Sequence, residues 1–497
     1  MTLLTLHPDD DVAVALTDLH AGDPGPDGAP LPADVPGGHK VARGALRAGQ
    51  LVHKYGQVIG VATAPVGVGE HVHVHNLAMP GERLRNAAPP GKPPAAPAAA
   101  RTFEGYVRPD GRVATRNFIG ILTSVNCSAT VASQIARRFE FEELPGVDGV
   151  VALTHGSGCG MADRGPGWEV LRRTLAGYAR HPNIGGIVVV GLGCEVNDLS
   201  SLVGELGVAQ GVPVESFTIQ DVGGTKAAIG EGDRLVRAMA ERMRHDKRST
   251  VGLEHLVLGL QCGGSDGWSG ISANPALGVA SDLIVAAGGT SMLGETPEIY
   301  GAEHLLAARA VDDGVAGVLM DRIAWWERYT ADQGTTLDGN PSPGNKAGGI
   351  TTILEKSLGA VAKGGHSPLA EVVDYAATPT RPGLVFMDTP GYDPVSATGM
   401  VAGGATLIAF TTGRGSVFGS RPAPTVKLAS NSAMAARMSD DIDVDCGPVV
   451  TGGVSLAEMG STVLDTLIDV ASGRPSRSEE LGVGGEEMVP WQLGAVL

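Results

Sequence analysis

The sequence predicts an α/β protein: a small β-rich domain at the N-terminus, then a large core of α/β domains built on parallel sheets. Three observations carry this. From residue 102 onward, apolar runs of five to eight residues alternate with helical patterns. Strand–helix repeats of about 30–35 residues indicate parallel strands covered on both faces. Residues 86–101, Asn-Ala-Ala-Pro-Pro-Gly-Lys-Pro-Pro-Ala-Ala-Pro-Ala-Ala-Ala-Arg, read as an extended Pro/Ala linker that separates the two parts. Gly accounts for 73 of 497 residues and aromatics for only 4%, which suits many tight βα turns and not a coiled coil.

The N-terminal domain, residues 1–80, reads as short strands with Gly turns. Strands are expected at 12–16, 37–42, 58–62 and 71–75, with no helix longer than two turns. The linker is placed at 81–101. A Rossmann-like α/β domain follows at 102–249. Its strands are expected at 118–122, 149–153, 186–190 and 212–217, and its helices at 128–140, 166–180, 197–210 and 224–245. A C-terminal α/β domain, 250–497, has expected strands at 256–260, 282–286, 383–387 and 405–410. Residues 334–349 are expected to form a long loop, and long loops inside compact domains are usually functional.

Charge narrows the partners. Lys and Arg number 37 against 54 Asp and Glu, a net −17. Nucleic acid or an anionic membrane would need a basic face, so neither is expected as a partner. No apolar run approaches the ~18–20 residues of a membrane span. The N-terminus lacks a basic segment and turns acidic at Asp9-Asp10-Asp11, so no secretory signal is expected. Five Cys are too few for a disulfide framework, and a cytoplasmic protein with reduced thiols is the simplest reading.

The chemistry-bearing residues are unevenly placed. Cys127, Cys159, Cys194 and Cys262 each lie just beyond the C-terminal end of an expected buried strand. That edge is where α/β sheets bind ligands, and thiolates suit iron or zinc. Ordinary core packing is the alternative for any one of them. No Cys-x-x-Cys occurs, which excludes a zinc ribbon or an ordinary ferredoxin motif. Seven of the 13 His fall in the first 75 residues. In His71-Val72-His73-Val74-His75 the alternation would put three imidazoles on one strand face and the valines on the other. Imidazoles in that arrangement suit a divalent metal, with a solvated face as the alternative. His155, after the strand at 149–153, is a further candidate. Neither Gly-x-Gly-x-x-Gly nor a P-loop occurs, which counts against a nicotinamide oxidoreductase. Arg116, Asn117, Ser265, Asp266, Lys346 and Arg414 stand in Gly-rich or loop contexts that suit a small anionic substrate.

These residues lie in motifs with a recognisable pattern: Gly38-His39-Lys40-Val41-Ala42, Lys54-Tyr55-Gly56, Gly105-Tyr106, Asp110-Gly111-Arg112, Arg116-Asn117, Gly191-Leu192-Gly193-Cys194-Glu195, Gln261-Cys262-Gly263-Gly264-Ser265-Asp266, Ser342-Pro343-Gly344-Asn345-Lys346 and Phe410-Thr411-Thr412-Gly413-Arg414-Gly415. Through them the chain resembles the altronate/galactarate dehydratase family over nearly its whole length, and its N-terminal domain looks like a SAF domain. The resemblance implies iron-dependent dehydration of a sugar acid, with Fe(II) as the expected cofactor. Mn(II) and a Cys-ligated iron–sulfur centre are the alternatives. His71-Val72-His73-Val74-His75-Asn76 and Met387-Asp388-Thr389-Pro390-Gly391-Tyr392-Asp393 resemble the altronate branch. The expected reaction is therefore D-altronate to 2-dehydro-3-deoxy-D-gluconate and water. Dehydration of galactarate or another aldonate or aldarate, a sulfo-lyase acting on a small hydroxy acid, and a non-catalytic sugar-acid sensor remain as alternatives.

The expected catalytic residues are His39, His73, His75 and Lys54. His71, His73, His75, Cys127, Cys159, Cys194 and Cys262 are the expected metal ligands. Arg116, Asn117, Ser265, Asp266, Lys346 and Arg414 are expected to hold the hydroxy-acid substrate. A homo-oligomer is expected.

Overall fold

Short apolar strands separated by glycine turns open the chain. β1 (Leu3–Leu4), β2 (Val12–Ala15), β3 (Lys40–Ala42), β4 (Leu51–Lys54), β5 (Gln57–Ala62), β6 (His71–Val72) and β7 (Leu77–Ala78) form two antiparallel sheets, ordered β1-β2-β3-β6 and β4-β5-β7. The structure, a computed structural model, describes residues 2–81 and 101–493. The expected linker lies outside the described residues except for its ends.

The second domain adds β8 (Thr102–Val107), β9 (Val113–Ala114), β10 (Phe118–Thr123), α1 (Ala129–Arg137), β11 (Gly149–Leu153), α2 (Pro166–Ala179), β12 (Ile184–Gly191), α3 (Leu199–Glu205), β13 (Val214–Thr218), α4 (Thr225–Met243) and β14 (Ser249–Gly252). β10 to β13 make a parallel sheet in the order β11-β10-β12-β13. Every residue of β10 and β12 is buried, as a strand covered on both faces requires. β14 returns antiparallel to β8, straddling the expected boundary at 249/250.

The C-terminal domain holds β15 (Val257–Cys262), α5 (Ala273–Ala286), β16 (Thr290–Leu293), α6 (Glu303–Ala307), α7 (Asp313–Asp332), α8 (Pro343–Ala347), α9 (Ile353–Ala362), β17 (Leu369–Val373), β18 (Gly383–Met387), α10 (Asp393–Ala402), β19 (Leu407–Thr412), β20 (Thr425–Ala429), α11 (Ser432–Arg437), β21 (Val444–Asp445), α12 (Leu456–Ala471) and α13 (Arg477–Glu480). Its seven strands are parallel, in the order β17-β18-β16-β15-β19-β20-β21. The expected strand at 282–286 is instead the last turns of α5, and the strand is β16. Residues 343–347 of the expected loop form α8, started by a reciprocal cap between Ser342 and Asn345. Among the described residues no helix is long and apolar enough to cross a membrane.

The N-terminal domain docks on α9. Leu358 of α9 packs against the core built by Val12, Val52, Ile59 and Val72. Beside it lies a buried ion triad. The Glu355 carboxylate accepts from Lys40 Nζ of β3 and Lys54 Nζ of β4, each at 2.8 Å. Lys40 Nζ also donates to Gly349 O at 2.6 Å, and Thr351 donates to Glu355 through its backbone N and its hydroxyl. Two ammoniums share one carboxylate out of water. Burial therefore pushes Lys40 down to about 8, while both lysines hold Glu355 far below the carboxylate range against its own desolvation.

Removing one partner of a buried ion pair leaves the other charge uncompensated, typically a loss of 3–5 kcal/mol. Glu355→Gln is expected to destabilise the protein by about that much in urea unfolding, because two lysines lose their counter-ion. The Glu355 pKa is lower folded than unfolded, so its contribution is complete above the ordinary value of 4.5 and declines as pH falls below it. Acid titration of stability should show this loss in the wild type and not in the variant.

Candidate functional site

Parallel strands deliver their C-terminal ends to one edge, where α/β sheets bind ligands. In the seven-stranded sheet, Cys262 ends β15, Glu295 follows β16, Asp388 follows β18 and Asp393 opens α10. The N-terminal domain is laid against this edge by close backbone contacts. Gly267 N donates to Gly348 O at 2.7 Å, and the Gly38–His39 turn sits between those two segments. A Cβ on Gly267 or Gly349 would collide with Gly38 O, and Gly38 itself has φ +81° with its Cα face against the Trp268 indole. Only glycine admits this approach.

The pairing of β3 with β6 gathers three imidazoles of the N-terminal domain, and docking brings them to this edge. His39 Nδ1 lies 3.0 Å from His71 Nε2, and His39 Nε2 lies 3.3 Å from Ala347 O of α8. The His73 ring is 4.8 Å from that of His39 and 5.3 Å from that of His71. One ligand nitrogen from each of the three falls within 4.8 Å of the others. His73 Nδ1 is buried with no hydrogen-bond partner among the described residues. Burial, then neighbouring charge including Lys40, lowers His71 to about 4 and His73 to about 3. All three are neutral at pH 7, the form that ligates metal.

The expected three-histidine strand face is not formed. β6 stops at Val72, because Asn76 closes a turn: its Oδ1 accepts from His73 N and its Nδ2 donates to His71 O, both at 2.9 Å. His73 thereby joins His39 and His71, while His75 stays exposed at the rim with its ring 5.5 Å from His71. Val74 is exposed as well, so the alternation of faces fails beyond Val72.

A narrow cavity lined by Lys54, Tyr55, Cys262, Asp266, Glu355 and Lys356 lies between the two domains. Behind it is a second polar centre. Lys363 Nζ is 2.9 Å from Cys262 Sγ and 3.2 Å from Glu295 Oε2, and Lys356 Nζ is 2.7 Å from Glu298 Oε1. Burial, with Glu298 nearby, raises Glu295 to about 8 and Asp393 to about 6, and burial pushes the Cys262 thiol up to about 12. Glu295 sits at φ +66°, a strained conformation for a residue with a Cβ, and its Oε1 is buried without a hydrogen-bond partner among the described residues. Cys262, Glu295 and Glu298 also have ligand-like spacing. However, Lys356 and Lys363 already compensate the acids of this centre, paired with Glu298 and Glu295. The imidazole cluster has no such internal counter-charge to satisfy it.

Sequence reasoning missed Lys40, Glu355, Glu295, Glu298, Lys356 and Lys363 as site residues. The available signal was a charge inside an otherwise apolar element, as in Lys40-Val41-Ala42 or Ile353-Leu354-Glu355-Lys356.

Of the other expected residues, four reach this region. Ser265 and Asp266 follow β15. Asp266 is buried, and its carboxylate is engaged by Ser269, Ser430 and Asn431. Asn345 Nδ2 donates to Ser265 O, which brings α8 and Lys346 beside it. Arg414 N donates to Gly264 O, and the Arg414 side chain is exposed. Neither Lys346 nor Arg414 has an ion-pair partner among the described residues.

The remaining expectations are corrected. Lys54 is locked on Glu355, which also holds its ammonium charged, so it is not free to move a proton. Arg116 sits at the start of β10, the far end from the ligand-binding edge. Its guanidinium makes two 2.7 Å bonds to Glu479 and further bonds to Val470 O and Arg474 O, fastening α12 and α13 to the second domain. Asn117 lies beside it, donating to Gly146 O and Asp246. His155 is buried with both ring nitrogens engaged, by Thr123 O and Ser157 N. The four thiols do not converge. Cys127, Cys159 and Cys194 follow strands of the second domain, whereas Cys262 belongs to the C-terminal sheet.

Three segments of the chain match one family, described as Altronate/galactarate dehydratase SAF domain over residues 1–80, D-galactarate dehydratase/Altronate hydrolase, second domain over 105–244, and D-galactarate/Altronate dehydratase, C-terminal over 253–496. The chain belongs to the altronate/galactarate dehydratase family. It is 37% identical to the galactarate dehydratase (L-threo-forming) of Escherichia coli, over 95% of this chain and 93% of that protein. It is equally 37% identical to the altronate dehydratase of Escherichia coli, over 96% of this chain and 97% of that protein. A (2R)-sulfolactate sulfo-lyase subunit beta of Chromohalobacter salexigens is 35% identical over 77% of this chain and 95% of its own length. Membership makes the chain an enzyme of the hydro-lyase type, and equal identity to two dehydratases does not choose between their substrates.

The reassignment of Arg116 is open to test. Arg116→Ala is expected to destabilise the protein by about 3 kcal/mol or more, as for other broken buried ion pairs. The kcat/KM of the folded fraction should stay within about twofold of wild type; a loss tracking the ~10²-fold scale of a transition-state contact would restore it to the substrate site.

Proposed function

We propose that this protein dehydrates a sugar acid at the joint between its N-terminal and C-terminal domains, and that the acid is D-altronate. The observation that carries the reading is the His39–His71–His73 cluster, which the N-terminal domain presents at the ligand-binding sheet edge with His39 Nε2 3.3 Å from Ala347 O.

The three neutral imidazoles, one with an unpartnered buried nitrogen, fit a divalent metal. A bound Fe(II) or Mn(II) supplies Lewis acidity to the substrate carboxylate and its neighbouring hydroxyl, which acidifies the C2 proton. Lys346 and Arg414, cations without ion-pair partners among the described residues, hold the carboxylate. His75, outside the ligand set at the rim, takes the C2 proton. Glu295, kept protonated at neutral pH by burial, provides the proton that leaves with the C3 hydroxyl as water. The resulting enol becomes the 2-keto-3-deoxy acid.

Altronate is favoured over galactarate by the charge balance around Glu298 and Asp393. Galactarate carries a second carboxylate where altronate carries a hydroxymethyl group. In the stretch 387–393, Asp388 is held by Thr296 and Trp326, while Asp393 lies against Gly263 near Glu298. Lys356 and Lys363 are already paired with Glu298 and Glu295, so among the described residues no free cation stands beside Asp393 to receive a second carboxylate. A desolvated like-charge contact costs several kcal/mol.

Two outcomes are expected. Protein stripped by a chelator should lose activity and regain it with Fe(II) under reducing conditions. His73→Ala should weaken metal binding in calorimetry, and His75→Ala should lower kcat roughly 10²-fold with metal binding kept. Full activity in metal-free protein would remove the Lewis-acid mechanism. Second, kcat/KM for altronate should exceed that for galactarate by at least ~10²-fold, equivalent to ~2.7 kcal/mol, read as 2-keto acid formation. Comparable turnover of the two acids would overturn the choice of substrate.

A further inference from the structure

We propose that the second domain carries a separate site at the C-terminal edge of its parallel sheet: an iron–sulfur cluster held by Cys127, Cys159 and Cys194, with one iron left open to an oxygen ligand. The site is distinct from the imidazole cluster and does not depend on the dehydratase reading.

The three cysteines follow β10, β11 and β12, which are neighbours in the order β11-β10-β12. Leu122 of β10 is in register with Leu153 of β11 and Val189 of β12, so the three strands end side by side. Their loops are then fastened to one another. Asn126 N donates to Ser157 O at 2.8 Å, and Asn197 N donates to Gly158 O at 3.0 Å. Asn197 Nδ2 donates to Ser124 O at 2.7 Å. Ser124 Oγ donates to Glu195 at 2.6 Å, and Glu195 also accepts from Leu192 N and Gly193 N. Each cysteine is thus within three residues of a bond to another cysteine's loop. Gly158 rides so close to Ser124 that a Cβ there would strike its carbonyl, and its φ of +98° also calls for glycine.

The thiols themselves face outward. All three are exposed, although cysteine is among the residues most often buried. Core packing therefore does not explain them. Cys127 lies in the turn that enters α1. Gln220 Nε2 donates to Cys194 Sγ at 3.6 Å, the kind of hydrogen bond to sulfur that tunes a cluster.

The ligand count selects the metal. Structural zinc takes four protein ligands. The nearest imidazole, His155, has both nitrogens engaged and holds the Cys159 loop against β10 instead. Three thiolates on three adjoining loops match three corners of a four-iron cubane. The fourth iron then lacks a protein ligand and accepts oxygen from water or a small hydroxy acid. An open cleft lined by Asn126, Thr154, His155 and Gln492 reaches this edge.

The test uses full-length protein purified without oxygen and rebuilt with Fe(II), sulfide and a thiol reductant. About four iron and four acid-labile sulfide per chain are expected, with the broad visible absorption of thiolate-bound iron. Ferricyanide should remove one electron and release one Fe(II), converting the four-iron core at charge two plus to a three-iron core at one plus. The paramagnetic resonance signal of that three-iron core reports the open corner. Cys127→Ser, Cys159→Ser and Cys194→Ser should each lose bound sulfide with unchanged circular dichroism, whereas Cys262→Ser should keep it. Zinc or sulfide-free iron in the rebuilt wild type overturns the proposal without any variant. A chromophore that survives all three substitutions overturns it as well.

Discussion

The candidate site depends on one buried carboxylate. Glu355 is the shared counter-ion of Lys40 and Lys54, and the two lysines come from different strands of a domain that is otherwise small and weakly cored. Without Glu355, two ammoniums would be desolvated unpaired, a state the fold cannot sustain. With it, β3 and β4 are pinned to α9, and the Gly38–His39 turn carries the imidazole cluster formed by the β3–β6 pairing to the sheet edge. The same triad sets the electrostatics. Lys40 stands behind the imidazoles and, added to their burial, keeps them neutral. A positive charge that disfavours protonation of nearby histidines leaves their lone pairs available. Docking and the neutrality of the imidazoles therefore both draw on the same triad.

Across the joint the two polar centres behave differently because their charges balance differently. Around Cys262, Lys356 and Lys363 face Glu298, Glu295 and Asp393, and burial raises Glu295 to about 8, so that it keeps its proton at neutral pH. That centre holds protons. The imidazole cluster is neutral and leaves a buried nitrogen unsatisfied, so it has a valence to offer. A dehydration needs both properties: an electrophile for the carboxylate end and a proton for the departing hydroxyl.

Much of the fold was legible in the sequence because fully buried parallel strands are continuous apolar runs. Those at 118–122, 149–153, 186–190 and 383–387 lie inside strands of the structure. The failure at 282–286 has the same origin. α5 is buried on most of its surface, so Asp282-Leu283-Ile284-Val285-Ala286 carries no amphipathic stripe and reads like a strand. At 71–75 the alternation of His and Val was real, but Asn76 captures the backbone and ends the strand after two residues. The site was legible only where the deciding contact is local. His39, His71 and His73 were visible as imidazoles near a strand end. Glu355 was not, since its partners stand 315 and 301 residues away in the chain. Arg116 misled for the same reason: its partner Glu479 is 363 residues distant, and nothing local distinguishes an arginine that binds a substrate from one that binds a helix.

Equal identity to a galactarate and an altronate dehydratase follows from what the fold constrains. The ion triad, the glycine contacts at the joint and the strand ends serve any hydroxy acid whose carboxylate enters the same way. They fix the reacting end of the substrate and say nothing of its other end. The two acids differ there by one carboxylate against one hydroxymethyl group, so on the proposed reading discrimination falls to the charges around Glu298 and Asp393. Three acids, Glu295, Glu298 and Asp393, stand there against Lys356 and Lys363, and both lysines are already engaged. A second substrate carboxylate would find no free cation and would have to displace Glu298 or Glu295 from its lysine. On the proposed reading, this chain's choice of substrate is a local charge count that leaves the rest of its architecture unchanged.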